Sequence, residues 1–339
     1  MKVAVFGTGY WAQFQIAAWQ SIGVQVVALW NRTKEKAEAA AARFGIPFVG
    51  VTPQEVFEKA DFDLADIVTD AEAHEALVLL SARYKKPVIC QKPLALSGAS
   101  CDRMVAACEK AGVWFAVHEN FRYQIPLRRL KELVEEGLIG RPVRAQLQLK
   151  SPDRDIISRQ PALITMDSMV LRDMGPHLFD VARSLFGEAE SIYARTLCAY
   201  PDIGAQDTAH CLLVMKSGLL LSCDLIHTFY HKAFIEGEKG SLLLDRNNRI
   251  QLITPEGTKN LPVPEAEPLP YIPSEDLSIH GSHIFNAIPL CLTALKKAFC
   301  ANEPAETSGR DNRESMRLVF AAIRSNKEGR VVPLDEAGL

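Results

Sequence analysis

Hydrophobic and polar positions in the first third of the chain follow two alternating periods. Short apolar runs rich in β-branched residues, which are typical of buried strands, fall at 3–6, 24–30, 65–69, 87–90 and 113–117. Segments with apolar residues at helical spacing lie between them, at 10–22, 33–44, 71–84 and 97–111. Strands that alternate with helices pair in parallel, so this pattern predicts a doubly wound α/β sheet.

The pattern changes after residue 120. A predicted helix at 126–136 is followed mainly by strands, at 142–150, 189–199, 208–216, 219–228, 232–237 and 241–245. Further helices are predicted at 173–186, 281–300 and 309–326. The dipeptide Ser217-Gly218 separates two of the strands, which is a hairpin signal. We therefore expect an α+β fold with a large, mostly antiparallel open sheet.

This change of pattern divides the chain into two predicted domains. We expect residues 1–120 to form a dinucleotide-binding Rossmann domain. Residues 121–339 are expected to form an α+β domain for substrate binding and oligomerisation, whose last helix packs near the first domain. A chain of 339 residues with 48% hydrophobic content is large enough for two cores.

Composition narrows the class of protein. The net charge is −3 with no basic stripe, so we expect no nucleic-acid partner. The N-terminal MKVAVFG starts a strand without the pattern of a signal peptide, and no apolar run reaches the length of a membrane span. The eight cysteines form no C-x-x-C pair, which indicates reduced thiols in a cytoplasmic protein. No histidine spacing is typical of zinc, and we expect no metal site.

A dinucleotide motif follows the first predicted strand. The segment 7–12 reads GTGYWA and fits G-x-G-x-x-G/A, with glycines for the tight turn and for close approach of a pyrophosphate. The helix that begins there presents free N–H groups and the positive end of its dipole to phosphates. The cofactor is expected to contact five residues of this turn: Gly7, Thr8, Gly9, Tyr10 and Trp11.

The end of the second strand bears on cofactor choice. An acidic residue at this tip usually binds the ribose hydroxyls of NAD, but here the segment reads Asn31-Arg32-Thr33. Arg32 is suited to a 2′-phosphate, with Thr33 and Lys34 adding a hydroxyl and a charge. We therefore expect NADP as cofactor. NAD remains the alternative if these charges are only solvated.

A lysine and a histidine are the main candidates for chemistry. Lys92 comes just past the carboxyl end of a predicted strand, where doubly wound sheets bind ligands, and Pro93 restricts its backbone. In the segment 171–187, Asp173, His177 and Asp180 fall at i, i+4 and i+7, one polar stripe on a predicted helix. A histidine beside a carboxylate suits a general base near neutral pH, although an exposed Asp–His pair would show the same spacing.

Taken together, these segments resemble the Gfo/Idh/MocA oxidoreductases over nearly the whole chain. The family has an N-terminal G-x-G-x-x-G/A, a segment like IVTDAEAH, an E-K-P motif and a later D-x-G-x-H-x-x-D. Here these motifs fall, in the same order, at 7–12, 67–74, 91–93 and 173–180. The Q-K-P together with HENFRYQ at 118–124 resembles the branch that contains D-apiose dehydrogenase.

The resemblance implies roles for residues of this chain. Lys92 would bond the reacting sugar hydroxyl, His177 would be the acid/base and Asp173 would aid substrate binding or proton relay. Gln91 stands where the family usually has glutamate, a position that lies close to the cofactor. Asp70 and His74 follow the predicted strand at 65–69, where the family wraps the cofactor, although His74 could instead cap its helix.

Further substrate contacts are expected near the same cleft. Asn120 is a candidate for substrate or nicotinamide, while Arg122 and Tyr123 either contact substrate or brace the domain interface. Arg159 lies in a polar loop that could close over a sugar.

These observations predict an NAD(P)-dependent dehydrogenase acting on a sugar, a polyol or a derivative. Two alternatives stand on the same fold: a glycosidase that recycles its NAD, and a non-catalytic sugar or nucleotide sensor. Apolar runs on both faces of the second sheet, such as CLLVMK and GLLLSCDL, also predict a homodimer or homotetramer formed through that sheet.

Overall fold

The computed structural model of the chain describes residues 1–150, 163, 166–200, 203–226, 232–265 and 282–336. Its first sheet has six parallel strands in the order β3-β2-β1-β4-β5-β6. These strands are β1 Lys2–Phe6, β2 Gln25–Trp30, β3 Phe48–Val49, β4 Leu64–Ile67, β5 Val88–Gln91 and β6 Phe115–His118. The strand order reverses at β1, as in a dinucleotide-binding doubly wound fold.

Helices connect the strands of this sheet. They are α1 Tyr10–Ser21, α2 Lys34–Phe44, α3 Pro53–Lys59, α4 His74–Arg83 and α5 Gly98–Ala111. Two 3-10 turns, Ala71–Ala73 and Asn120–Tyr123, lie beyond the carboxyl ends of β4 and β6. Gly45 and Gly112 end α2 and α5 in the left-handed conformation. The predicted α/β class of this part is confirmed.

The second sheet has nine strands in the order β14-β13-β12-β11-β7-β10-β9-β8-β15. The strands are β7 Pro142–Lys150, β8 Ala189–Leu197, β9 Thr208–Met215, β10 Leu220–Ile226, β11 Lys232–Gly237, β12 Gly240–Leu244, β13 Ile250–Thr254, β14 Gly257–Leu261 and β15 Val332–Pro333. All neighbours are antiparallel except β7 and β10. The hairpin at Ser217-Gly218 is present, with Gly218 at φ +84°.

Five helices accompany the second sheet: α6 Ile125–Glu135, α7 Met169–Asp173, α8 Gly175–Phe186, α9 Ser282–Cys300 and α10 Gly309–Glu328. The single helix expected at 173–186 is wrong at its start, because the chain breaks at Met174 into α7 and α8. Helix α3 and strands β3, β13, β14 and β15 were not expected from the sequence.

The C-terminal helices return to the first sheet. Helix α9 packs on α1, where the rings of Phe14 and Phe285 lie 4.8 Å apart between centroids. Helix α10 packs on α5, and just before it the Thr307 carbonyl accepts from the Val117 N–H at 2.8 Å. The expected return of the last helix is therefore confirmed, and it fixes the second sheet relative to the first.

All eight cysteines fall within the described residues and carry free thiols, six of them buried. Across the described ranges, no helix combines the length and the apolar character that crossing a bilayer requires.

Candidate functional site

The turn after β1 has the shape that a dinucleotide requires. Gly7 adopts φ +111°, and a Cβ at this position would lie 2.3 Å from the carbonyl oxygen of Val68. The Gly7 N–H donates to the Trp30 carbonyl at 2.7 Å, which ties the turn to β2. Glycine is therefore required here by both conformation and space.

Two hydroxyls flank this turn without partners. Thr8 Oγ1 and Thr69 Oγ1 are buried and make no hydrogen bond to any described residue. Gly9 lies at the N-cap of α1 and brings no side chain to cover the first N–H groups of that helix. Unpaired buried donors beside a bare helix N-terminus fit the phosphates and ribose of a dinucleotide.

Tyr10 and Trp11 contribute differently from the glycines. The Trp11 ring packs toward Phe285 of α9 at 6.3 Å between centroids, and the Tyr10 ring packs edge-on against Phe14 at 5.2 Å. Both residues form the first turn of α1, so their main-chain N–H groups face the dinucleotide turn. The Trp11 ring also helps to join α1 to α9.

The end of β2 is held by an asparagine. Asn31 Oδ1 accepts from the Thr8 N–H at 3.2 Å, and its Nδ2 donates to the Thr33 carbonyl at 3.0 Å. Arg32 is exposed and has no ion pair with any described residue, whereas Lys34 pairs with Glu38 at 3.2 Å. The Arg32 guanidinium is therefore available at the tip of β2.

His74 ties two loops together. This side chain is fully buried at the start of α4, with Nε2 3.1 Å from the Thr69 carbonyl and Nδ1 3.0 Å from the Pro93 carbonyl. Burial lowers the pKa of His74. The ring links the loop after β4 to the loop that carries Lys92 and does not cap α4, so the expected cap is wrong. The expected cofactor contact of His74 stays a prediction. Asp70 is exposed beside this link.

Gln91 points into a buried polar network. Its Nε2 donates to Gln15 Oε1 at 2.8 Å and to His118 Nδ1 at 3.1 Å, and its Oε1 accepts from the Lys92 N–H at 3.0 Å. Gln15 in turn donates to both carboxyl oxygens of Asp66. Gln91 thus fixes the backbone of Lys92 through the hydrogen bond that its side chain accepts from the Lys92 N–H.

Lys92 reaches across to the second part of the chain. Its Nζ lies 2.8 Å from Asp173 Oδ1 and 3.1 Å from the Asp173 carbonyl. The two side chains are 17% and 22% exposed, so the pair is partly open to solvent. The structure thus brings these two predicted residues together.

His177 lies on α8 and is almost fully buried. Its Nδ1 makes a short hydrogen bond with Glu119 Oε1, and its ring stacks on Phe121 at 3.9 Å between centroids. Burial, followed by the Lys92 charge, lowers the pKa of His177. Its Nε2 has no hydrogen-bond partner in the described part of the chain, so this nitrogen is available for a substrate proton.

Glu119 is a site residue that the sequence analysis missed. It follows β6 directly, is fully buried, and burial raises its pKa above the usual range. An acidic residue directly after an apolar strand of the parallel sheet was the signal, since the carboxyl ends of such strands meet at the ligand edge.

Asp180 and Arg122 form a buried ion pair. The Arg122 guanidinium donates to both carboxyl oxygens of Asp180, at 2.6 and 2.7 Å, and to Asp311 Oδ2 at 2.8 Å. The expected polar stripe is therefore wrong at its third member. Arg122 thus ties the 3-10 turn after β6 to α8 and to the start of α10, and its expected contact with substrate stays a prediction.

Tyr123 and Asn120 are also buried here. The Tyr123 ring packs in the core beneath the Arg128 guanidinium, 4.4 Å from its centroid, which fits the bracing role. Asn120 Nδ2 lies 3.4 Å from the Ile284 carbonyl. Arg159 lies outside the described residues.

The arrangement can remove a proton from a hydroxyl group. A neutral imidazole and an ammonium group lie at the carboxyl edge of the first sheet, and the nucleotide turn lies at the same edge. The imidazole can accept a proton, and the ammonium can stabilise the alkoxide that this creates.

Comparisons with known proteins agree with this geometry. A family model described as "Oxidoreductase family, NAD-binding Rossmann fold" matches residues 1–119, and one described as "GFO/IDH/MocA C-terminal domain" matches residues 127–243. A D-apiose dehydrogenase of Paraburkholderia graminis is 33% identical over 98% of this chain and 89% of its own length. A myo-inositol 2-dehydrogenase of Thermotoga maritima is 27% identical over 99% of each.

A solved structure is similar over the whole fold. It is an oxidoreductase from Agrobacterium radiobacter in complex with NAD+, L-tartaric acid and magnesium. It is 29% identical, covers 99% of this chain and 98% of its own, and superposes with a TM-score of 0.91.

Proposed function

This chain belongs to the GFO/IDH/MocA family of oxidoreductases with an NAD-binding Rossmann fold, and on that premise we propose that it is a dehydrogenase of a sugar or polyol. The observation that carries the proposal is the pairing of the Lys92 ammonium with Asp173 in the cleft that also holds His177. The D-apiose and myo-inositol dehydrogenases among its relatives support this substrate class.

His177, Lys92 and Asp173 have different roles in the proposed reaction. The nicotinamide cofactor, when bound, exchanges hydride with the substrate carbon. His177 Nε2 takes the proton of the hydroxyl on that carbon, and in the reverse direction returns it. Lys92 stabilises the negative charge that develops on the oxygen, and Asp173 holds the Lys92 ammonium in place.

Cofactor choice is assigned to the tip of β2. We propose NADP as cofactor, with NAD as the alternative. The available guanidinium of Arg32 and the absence of an acidic residue in the segment 31–33 favour a 2′-phosphate.

One absorbance assay tests the reaction and the cofactor together. Reduction of NADP+ and of NAD+ is followed at 340 nm across a panel of aldoses, pentoses, inositols and sugar acids. We expect one sugar or polyol to give turnover with one cofactor preferred. Silence across the panel, with cofactor binding still seen by fluorescence, would contradict the dehydrogenase and favour the NAD-recycling glycosidase or the sensor.

We propose that a second copy of this chain covers the open face of the second sheet. Large apolar side chains on three neighbouring strands are about half exposed there: Leu197, Leu212 and Leu220. Tyr193 and Phe234 lie on the same face, and the Arg144–Glu236 ion pair lies beside them. An apolar face of this size is typically buried by a partner. A two-fold axis would pack the same face of a second copy against it. Light scattering should give a dimer or tetramer, and a monomer at micromolar concentration would contradict this.

We also propose residues 1–120 and 121–339 as the two domains. The first sheet is complete at His118, and the two family matches end at 119 and begin at 127. A cytoplasmic location is proposed on the eight free thiols.

A further inference from the structure

Glu119 is the one carboxylate in contact with the His177 ring among the described residues. Its Oε1 lies against His177 Nδ1, while Asp180, on the same helix as His177, is engaged by Arg122 and Asp173 is engaged by Lys92. The second oxygen of Glu119 makes no hydrogen bond to a described residue. The hydrogen bond to His177 is therefore its principal polar contact.

Two contacts fix the ring in one orientation. The Phe121 ring lies parallel to the imidazole, with an angle of 18° between the planes, and prevents it from tilting. Glu119 holds the opposite edge through Nδ1, so Nε2 is the nitrogen left for the cleft. The Phe121 N–H also contacts Glu119 Oε1, at 3.4 Å, which ties both contacts to the 3-10 turn after β6.

We propose that Glu119 is a positioning residue for His177: its carboxylate accepts the Nδ1 proton, which selects the tautomer with a basic Nε2 and stabilises the imidazolium after proton uptake. The proposal deepens the dehydrogenase assignment and rests on it only for the source of the proton. A carboxylate behind a catalytic histidine performs the same two tasks in other enzymes.

The number of protons on the Glu119–His177 pair determines whether the pair acts as a base or as an acid. With one proton, held on Nδ1, the pair carries one negative charge and Nε2 is a base that can take the hydroxyl proton. With a second proton, on Nε2, the pair is neutral and can return that proton to an alkoxide. The two macroscopic steps belong to the pair and not to either residue alone.

Other charged and titratable groups also face His177 from the elements packed around it. They are Lys92 after β5, His118 at the end of β6, Asp173 at the end of α7 and Asp180 on α8 itself. Arg122 in the 3-10 turn acts on Asp180 and on Glu119. Loss of the Glu119 charge leaves all of these in place. The net change is then removal of the nearest negative charge, which must lower the affinity of His177 for a proton.

The first test needs neither cofactor nor substrate. Nitrogen-15 NMR of the labelled histidine rings, with His177 assigned through His177→Asn, reports its tautomer and its titration. In the wild type we expect the neutral ring to carry its proton on Nδ1. Glu119→Gln should lower the His177 titration midpoint by about one pH unit or more, and Glu119→Asp should recover part of that shift.

Matched controls separate positioning from folding. Glu135→Gln removes an exposed carboxylate at the end of α6 and should leave the His177 titration unchanged. Circular dichroism checks that Glu119→Gln is folded. The neutral tautomer with its proton on Nε2, or a titration of His177 that Glu119→Gln does not move, would overturn the proposal.

The second test uses turnover once a substrate is known. In Glu119→Gln we expect kcat to fall about 100-fold and the acidic limb of the oxidation profile to move to lower pH. A lower kcat with an unmoved profile would mean that Glu119 is only structural. If the NMR shifts appear but no substrate transfers hydride, the dehydrogenase assignment fails while the Glu119–His177 assignment stands.

Discussion

Lys92 Nζ is held by Asp173 twice, at 2.8 Å by the carboxylate and at 3.1 Å by the main-chain carbonyl. This contact joins the end of β5 in the first sheet to the end of α7 beside the second. The last carbonyls of a helix attract positive charge, so both contacts favour the ammonium in this position.

Lys92→Met is expected to remove turnover while sparing the cofactor. Methionine keeps the apolar stem but loses the charge that stabilises the developing alkoxide, so kcat should fall about 100- to 1000-fold. Cofactor affinity, measured by quenching of protein fluorescence, should change little. Lys110→Met, on the exposed face of α5, serves as control. An equal loss of cofactor affinity would instead assign Lys92 to cofactor binding.

Arg32→Ala is expected to change the preference between cofactors. Loss of a charge-assisted contact to the 2′-phosphate should lower kcat/KM with NADP+ by about tenfold or more and leave that with NAD+ nearly unchanged. The ratio of the two values is the measurement, and Arg83→Ala, exposed at the end of α4, is the control. An unchanged ratio would show that Arg32 is only a solvated loop charge.

The fold could be predicted where the periodicity was strong. Alternation of apolar strands and helices identified the parallel sheet, but β14 reads GTKNL with four exposed residues and has no apolar face to detect. Helix α3 had a readable start: Thr52 accepts from the Glu55 N–H at 3.1 Å, and Glu55 accepts from the Val51 N–H at 2.7 Å. Its seven residues were too few for a helical period.

The sequence predicted several residues of the candidate site, but not all of the contacts between them. Lys92, Asp173 and His177 were predicted through motif order, and the structure brings them close together. Spacing along α8 suggested that Asp180 would lie beside these three residues. Asp180 instead pairs with Arg122, which lies 58 positions earlier in the chain. Contacts over such separations depend on tertiary packing, which one-dimensional spacing does not contain. The place of Glu119 directly after β6 was readable in the sequence, but its contact with His177, 58 positions later, was not.

Asp66 is expected to make stability depend on pH. It is fully buried, and burial raises its pKa to about 7, against the hydrogen bonds from Trp19 and Gln15 that lower it. Because the unfolded value is about 3.9, the folded state binds this proton more tightly, and the resulting stability is lost as pH rises from about 4 to 7.

Asp66→Asn removes that dependence. Between pH 5 and pH 8, the free energy of unfolding of the wild type should fall relative to the variant by about 2–3 kcal/mol. Urea denaturation of both proteins at the two pH values measures the difference. The buried histidines are common to both proteins and cancel. A difference that is constant with pH would show that Gln15 and Trp19 keep Asp66 ionised.

Gln91→Glu restores the residue usual in the family motif, yet it should destabilise this protein. At pH 8 a carboxylate cannot donate to Gln15 Oε1 or to His118 Nδ1, and it places charge beside two acceptors. We expect a loss of about 2–3 kcal/mol in the free energy of unfolding at pH 8. The loss should shrink at pH 5, because the protonated acid regains one donor.

Gln91→Met is the matched comparison for that variant. Methionine loses all three hydrogen bonds without adding charge, so its cost should not depend on pH. The glutamate keeps the oxygen that accepts from the Lys92 N–H at 3.0 Å, so turnover per folded molecule should survive better in Gln91→Glu than in Gln91→Met. Equal stability of Gln91→Glu and wild type at pH 8 would mean that His118 shifts its proton to Nδ1 and that the network adapts to either residue.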